Sequence, residues 1–293
     1  MDQYREELDS LVALMDDDDS VVTQCVDDRL RSYGPGIIRS LVNYSERVGD
    51  PALKELVFSR AESLNAGFRL DALKDFAGRN QGPLSLFEGG YLACSLLDCS
   101  LQRDTMEDLF FKCSAEYLSE ASDQRTALEN INVFNYIFFS RLKFSLCDVD
   151  LDRTEYMLVS DALRTRQGNP FAIAYIYLMI AQVAGLPLRA LCFPGGFVPA
   201  YEEKGKELFF INVYRGGSIF NRSQLKTFLS ATGLEIPLDK CRLREDNSIL
   251  MIYLESLQYI CSRKGQRTRC ELLEKALNFF GTERFLSIDE PEE

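Results

Sequence analysis

Between Pro170 and Leu188 the chain carries one strongly polar side chain, Gln182. So apolar a run belongs either in a membrane or at the centre of a core. Gly185 and Pro187 break it, leaving Pro170 to Ala184 as the helical part. That helix is about 22 Å long at about 1.5 Å per residue, well short of a hydrocarbon layer of about 30 Å. The reading is a fully buried central helix, around which the rest of the chain must be arranged.

The start of this helix is clearly marked. Asn169 suits the N-cap and Pro170 the first helical position, where a missing N–H costs nothing. The helix start that follows Gly168, Asn169 and Pro170 therefore presents the free backbone N–H groups of its first turn and a partial positive charge, with Arg166 close by. Two readings stand side by side: a site for an anion or carbonyl, and a capped core helix with no further role.

Upstream, apolar residues recur at helical spacing: Leu8, Leu11, Val12, Met15; Val21, Val22, Cys25, Val26, Leu30; Ile37, Ile38, Leu41, Val42; Leu53, Leu56, Val57. The acidic openings at Asp19 and Asp50 repeat loosely, the pattern of a stacked HEAT-like helical repeat. The run Asp16 to Asp19 is no calcium loop, because the sixth and twelfth positions from Asp16 are Val21 and Asp27 rather than Gly and Glu. Residues 71–145 read as helix with turns at 78–83 and at Gly89-Gly90, and 127–144 as one long core helix. Short β-branched and aromatic runs at 188–193, 197–201 and 208–214, split by Pro194-Gly195-Gly196 and a charged turn, predict consecutive antiparallel strands. Ser223 is expected to cap a helix carrying Leu225, Phe228 and Leu229, and helices are expected over 247–263 and 268–280 before an acidic tail from Ser287. The predicted class is α+β, predominantly helical, with a small antiparallel sheet on the buried central helix. The expected organisation is a helical-repeat segment over 1–75, a core over 76–235 and a helical segment over 236–293.

Composition narrows the chemistry. The 293 residues include 33 basic and 45 acidic side chains, a net charge of −12, and neither His nor Trp. Without imidazole there is no Ser-His-Asp or Cys-His arrangement, no His-bearing metal site and no ordinary neutral-pH base. The acidic balance disfavours nucleic acid and anionic membranes. Arg263, Lys264, Arg267 and Arg269 read as the polar face and link of the last helices. The nine Cys are scattered through apolar stretches, as buried reduced thiols are. Cys94 and Cys99 fall on different helix faces, so no metal and no cofactor is expected. The opening residues lack a charged-then-apolar leader, and a cytoplasmic location is expected. There is no G-x-G-x-x-G, Walker loop, G-x-S-x-G or C-x-x-C, and Ser223-x-x-Lys226 lacks its partner motifs.

The segments Asp161-Ala-Leu-Arg-Thr-Arg-Gln-Gly-Asn-Pro170, the apolar helix to Ala184, Gly185-Leu-Pro187, Phe193-Pro-Gly-Gly-Phe197 and Phe210-Ile-Asn-Val-Tyr-Arg-Gly-Gly217 with Ile219-Phe220 occur here in that order. Together, over roughly residues 127–232, they resemble the transglutaminase-like superfamily, in particular its SirB family branch, where a papain-like core carries flanking helical repeats. The resemblance implies a Cys-His-Asp triad: a nucleophile at the central helix N-terminus, a His on the following strand region and an Asp on the next. Here those positions match Pro170, Gly196 and Asn212. None of the three can perform its role.

The resemblance thus implies a catalytically inactive protein that acts as a protein-binding, scaffolding or regulatory module. Arg166, Gly168, Asn169, Pro170, Gly196, Phe197, Asn212 and Tyr214 are the residues expected to line the remnant cleft. The expected partner is a protein or peptide segment, not nucleic acid and not a membrane. The alternative is a cysteine-type peptidase or acyltransferase with relocated residues, for which Cys192 is the thiol nearest the cleft in sequence.

Overall fold

The computed structural model describes residues 5–79, 85–122, 124–147, 156–231, 236–238, 241–244 and 247–286. Four helices lead: α1 (Arg5–Ala13), α2 (Ser20–Ser32), α3 (Ile37–Arg47) and α4 (Pro51–Ala77). The acidic residues ahead of α2 and α4 cap them. Asp19 accepts from the Val21 N–H at 2.8 Å and Asp50 from the Ala52 N–H at 3.0 Å. Leu8, Val12, Val26, Leu30, Ile37 and Leu41 bury together with Val57 and Ala61 from the first half of α4 in a small core. Leu73 and Phe76, from its second half, enter the main core. α4 therefore crosses residue 75 without a break.

The main core is built around α9 (Pro170–Val183), in which every residue from Ala172 to Ala181 is buried. Its tyrosines satisfy their hydroxyls: Tyr175 donates to the Leu86 carbonyl at 2.8 Å and Tyr177 to Asn135 Oδ1 at 2.7 Å. Against it pack α5 (Leu86–Leu97), α6 (Arg103–Leu118), α7 (Ala127–Asn135), α8 (Val159–Thr165) and α11 (Ser248–Arg263), with α12 (Arg267–Asn278) behind α11. Among the described residues, no helix is long and apolar enough to cross a membrane.

Three expectations are corrected here. Gly89-Gly90 is not a turn but lies inside α5. A Cβ at Gly90 would come 2.9 Å from Tyr175 Cε1, and one at Gly89 would come 3.0 Å from Leu250 Cδ2, so these glycines let α5 approach the central helix and α11. Residues 127–144 are not one α-helix. After α7 the backbone widens into a π turn over Tyr136–Arg141, then forms the short strand β1 (Ser145–Leu146), paired in parallel with β2 (Gln167–Gly168). Ser223 does not cap the helix after the sheet. α10 (Arg222–Ala231) begins two residues earlier than a cap at Ser223 implies, and Asn221 caps it by accepting from the Gln224 N–H at 2.9 Å.

The sheet is antiparallel, with β3 (Leu188–Phe193), β4 (Gly196–Glu203) and β5 (Lys206–Asn212) at its centre, edged by β6 (Ser218–Phe220) and β7 (Arg242–Arg244) in the order β6-β5-β4-β3-β7. The edges were not expected. Alternation divides its two faces. Ala190, Cys192, Phe197, Tyr201 and Ile211 join the main core around α9, while Leu191, Phe193, Val198, Ala200 and Phe210 join a third core with Leu225 and Leu229 of α10.

Candidate functional site

The β3–β4 hairpin turns at Pro194-Gly195, with Phe193 paired to Gly196. Pro at the first central position and Gly195 at φ +100° at the second are the pattern of a type II turn. Gly196 follows at φ +149°, a backbone that side-chain-bearing residues rarely adopt. The space itself is not closed, since a Cβ there would meet Phe171 Cε1 at 3.6 Å, an ordinary contact.

Next to this hairpin stands the start of α9. Asn169 is buried; its Oδ1 accepts from the Ala172 N–H at 2.8 Å and its own N–H donates to the Tyr156 carbonyl at 2.8 Å. Across from it, at the end of β5, Asn212 is buried too. Its Oδ1 accepts from the Tyr214 N–H at 3.0 Å and its carbonyl from the Gly217 N–H at 2.9 Å, which fixes the turn into β6. The Nδ2 groups of Asn169 and Asn212 have no hydrogen-bond partner among the described residues. Tyr214 is half-buried, and burial pushes its phenol up to about 12, so it stays protonated at neutral pH.

Pro170, Gly196, Phe197, Asn212 and Tyr214 line one open pocket of about 280 Å³. Arg166, Gly168 and Asn169 are not in its lining. Arg166 sits in a left-handed conformation, φ +65°, at the end of α8; its Nη1 lies 2.6 Å from Cys113 Sγ and its guanidinium 4.9 Å from the centroid of the Phe144 ring. Gly168 permits close packing instead: a Cβ would come 2.9 Å from that of Ala162. The sequence did not bring in Leu146, Phe171, Phe193, Val198, Phe220, Leu225, Phe228 or Leu229, which also line it. The signal for Phe193 was present in the strand alternation, which turns it toward α10. The pocket is open, as a ligand cleft should be, but apolar where a polar lining would mark a reaction centre.

Among the described residues the lining has no thiol, amine or carboxylate. Cys192 is buried and lines a separate pocket of about 360 Å³ with Pro194, Cys241, Arg242 and Arg284. Burial pushes the Cys113 thiol up despite the opposing Arg166 charge, and it holds Cys99 and Cys261 at about 11. Such thiols are poor nucleophiles at neutral pH. Among the described residues no group of three or more His, Cys, Asp or Glu is placed to hold a metal ion.

Comparison with curated proteins and with solved structures returned no match. A family model described as the transglutaminase-like superfamily matches residues 103–253, wider than the 127–232 carried by the sequence motifs and slightly more than half of the 293 residues. That span holds α6 to α9, the pocket and the first turns of α11, and by it the chain belongs to the transglutaminase-like superfamily.

Proposed function

We propose that this chain is a catalytically inactive transglutaminase-like protein whose vacated cleft receives a segment of a protein partner. The supporting observation is that Pro170, Gly196 and Asn212, the positions matching the triad, stand around one open pocket whose described lining has no thiol, amine or carboxylate and whose one phenol, Tyr214, stays protonated at neutral pH. Proline at the helix start offers no attacking atom. The Gly196 backbone disfavours any side chain there, imidazole included. The Asn212 amide can hold an oxygen in place and cannot accept a proton as a base does.

In this reading the four leading helices and α11–α12 are the helical-repeat flanks of a SirB-type protein, the role is scaffolding or regulation, and the location is cytoplasmic. Two helix pairs, α1–α2 and α3–α4, with acidic caps at Asp19 and Asp50, support the repeat. The competing enzyme reading needs a relocated thiol, and Cys192 faces a different pocket.

Alkylation of the folded chain with iodoacetamide separates the two. The expected first target is Cys25, the exposed thiol, at the rate of an ordinary thiol, with the buried ones slow. One buried Cys alkylated far faster than Cys25 would refute inactivity. For the partner, capture by the wild-type chain that persists unchanged with Asn212→Asp would place binding outside the cleft.

A further inference from the structure

Two features of the pocket specify what fits it: an unpaired amide and a wall without charge. Asn212 is 1 % exposed, its Oδ1 is committed to the Tyr214 N–H, and its Nδ2 has no acceptor among the described residues. A buried donor without an acceptor is rare and unfavourable; Nδ2 is sealed in this structure, so a ligand carbonyl satisfies it once the amide turns into the pocket that Asn212 lines. The rest of the wall includes five phenylalanines, Phe171, Phe193, Phe197, Phe220 and Phe228, and, among the described residues, no Lys, Arg, Asp or Glu. A carboxylate or phosphate would be stripped of water there with no counter-charge, whereas a neutral aromatic group gains area and edge-to-face contacts.

Size narrows the class further. An apolar cavity of about 150 Å³ holds benzene, so the 280 Å³ here corresponds to about a dozen non-hydrogen atoms. A phenylalanine residue within a peptide chain has about eleven and offers a neutral carbonyl beside its ring. We infer that the cleft takes one internal aromatic residue of a peptide segment, its ring among the phenylalanines and its main-chain carbonyl on Asn212 Nδ2. This rests on the reading of the chain as a segment-binding protein and names the residue that anchors the segment.

The test is a titration of the full chain with N-acetyl-phenylalanine amide, read from the backbone amide shifts of Gly195, Gly196 and Tyr214. Saturable shifts in the millimolar range are expected, with N-acetyl-phenylalanine as the free acid and N-acetyl-glutamine amide binding at least tenfold more weakly. Asn212→Asp keeps the Oδ1 acceptor for the Tyr214 N–H and replaces the free donor by a carboxylate oxygen. It should weaken the amide ligand tenfold or more at pH 7 and recover affinity in acid, where the protonated carboxyl donates again. A role confined to the turn would not give that pH dependence. Phe228→Ala, at a half-buried rim position, should also lose binding at least tenfold. The inference is overturned if no shift saturates, if the free acid binds as well as the amide, or if both variants bind like wild type. A failed titration with ordinary thiol reactivity removes this inference alone. A fast-reacting thiol removes the inactive reading itself.

Discussion

Restoring a side chain at Gly196 should destabilise the protein before it restores any chemistry. The position has φ +149°, yet a Cβ would meet only Phe171 Cε1 at 3.6 Å and Phe193 Cε2 at 4.0 Å, so room is not the obstacle. The cost is conformational, and holding a side-chain-bearing residue in so sparsely populated a backbone costs about 1–3 kcal/mol. The hairpin has little freedom to relax, because Phe193 pairs with Gly196 and the Gly195 N–H donates to the Phe285 carbonyl at 2.6 Å. Gly196→Ala should carry most of that loss and Gly196→His about the same. For comparison, Gly185→Ala, at φ +68° with nothing within 4 Å, should cost only the left-handed penalty of about 1–2 kcal/mol. Equilibrium unfolding in urea measures all three. If Gly196→Ala unfolds within about 0.5 kcal/mol of wild type, the typical range for an inconsequential surface change, the claim that this backbone excludes an imidazole is wrong.

Gly90→Ala would drive a methyl to 2.9 Å from Tyr175 Cε1, and thermal unfolding should register an overpacking loss of about 1–3 kcal/mol. Asn135→Ala removes the acceptor of the buried Tyr177 hydroxyl and the donor to the Gly217 carbonyl, so urea unfolding should show a loss of about 1–3 kcal/mol from the stranded groups. Glu255, fully buried on α11, accepts from the Phe285 and Leu286 N–H groups at 2.9 and 2.8 Å, so Glu255→Ala should accelerate hydrogen exchange at both amides. Burial raises the Glu255 pKa above its ordinary 4.5 despite those two N–H groups. Its ionisation in the fold therefore costs stability, the contribution being full below pH 4.5 and lost as pH rises through the raised value. The stability of Glu255→Gln relative to wild type should rise over that window, and a fall would reverse the assignment.

What the sequence disclosed follows from how strongly each segment was constrained. The central helix was legible because an apolar run bounded by Asn169-Pro170 and Gly185 admits one arrangement, and it came out as Pro170–Val183. Strands β3 to β5 were legible from their aromatic and β-branched runs. β6 and β7 are three residues each, and Arg242-Leu-Arg244 has no strand pattern of its own; it pairs because β3 offers a free edge. Gly89-Gly90 misled because glycine pairs usually mark turns, whereas here the missing side chains admit Tyr175 from a residue far along the chain. At the site, Pro170, Gly196 and Asn212 were located by motif order, and the structure places them around one pocket. Arg166 was read as facing the cleft from its nearness in sequence, but a left-handed residue turns the chain and sends its side chain to Cys113 and Phe144. The aromatic wall was hidden because Phe228 reaches it from α10, outside the motif segments, and because the motif that contains Phe220 does not say which way its ring turns from β6.

Turnover is the most direct test of the central claim. The full chain, at a concentration well above that of any trace contaminant, is incubated with a library of glutamine-containing peptides and a primary amine, and ammonia release, amine incorporation and new peptide termini are followed together. With Pro170, Gly196 and Asn212 around the pocket, the rate should equal that of the protein-free control. A rate that rises in proportion to protein and disappears on alkylation of a single cysteine would contradict the account.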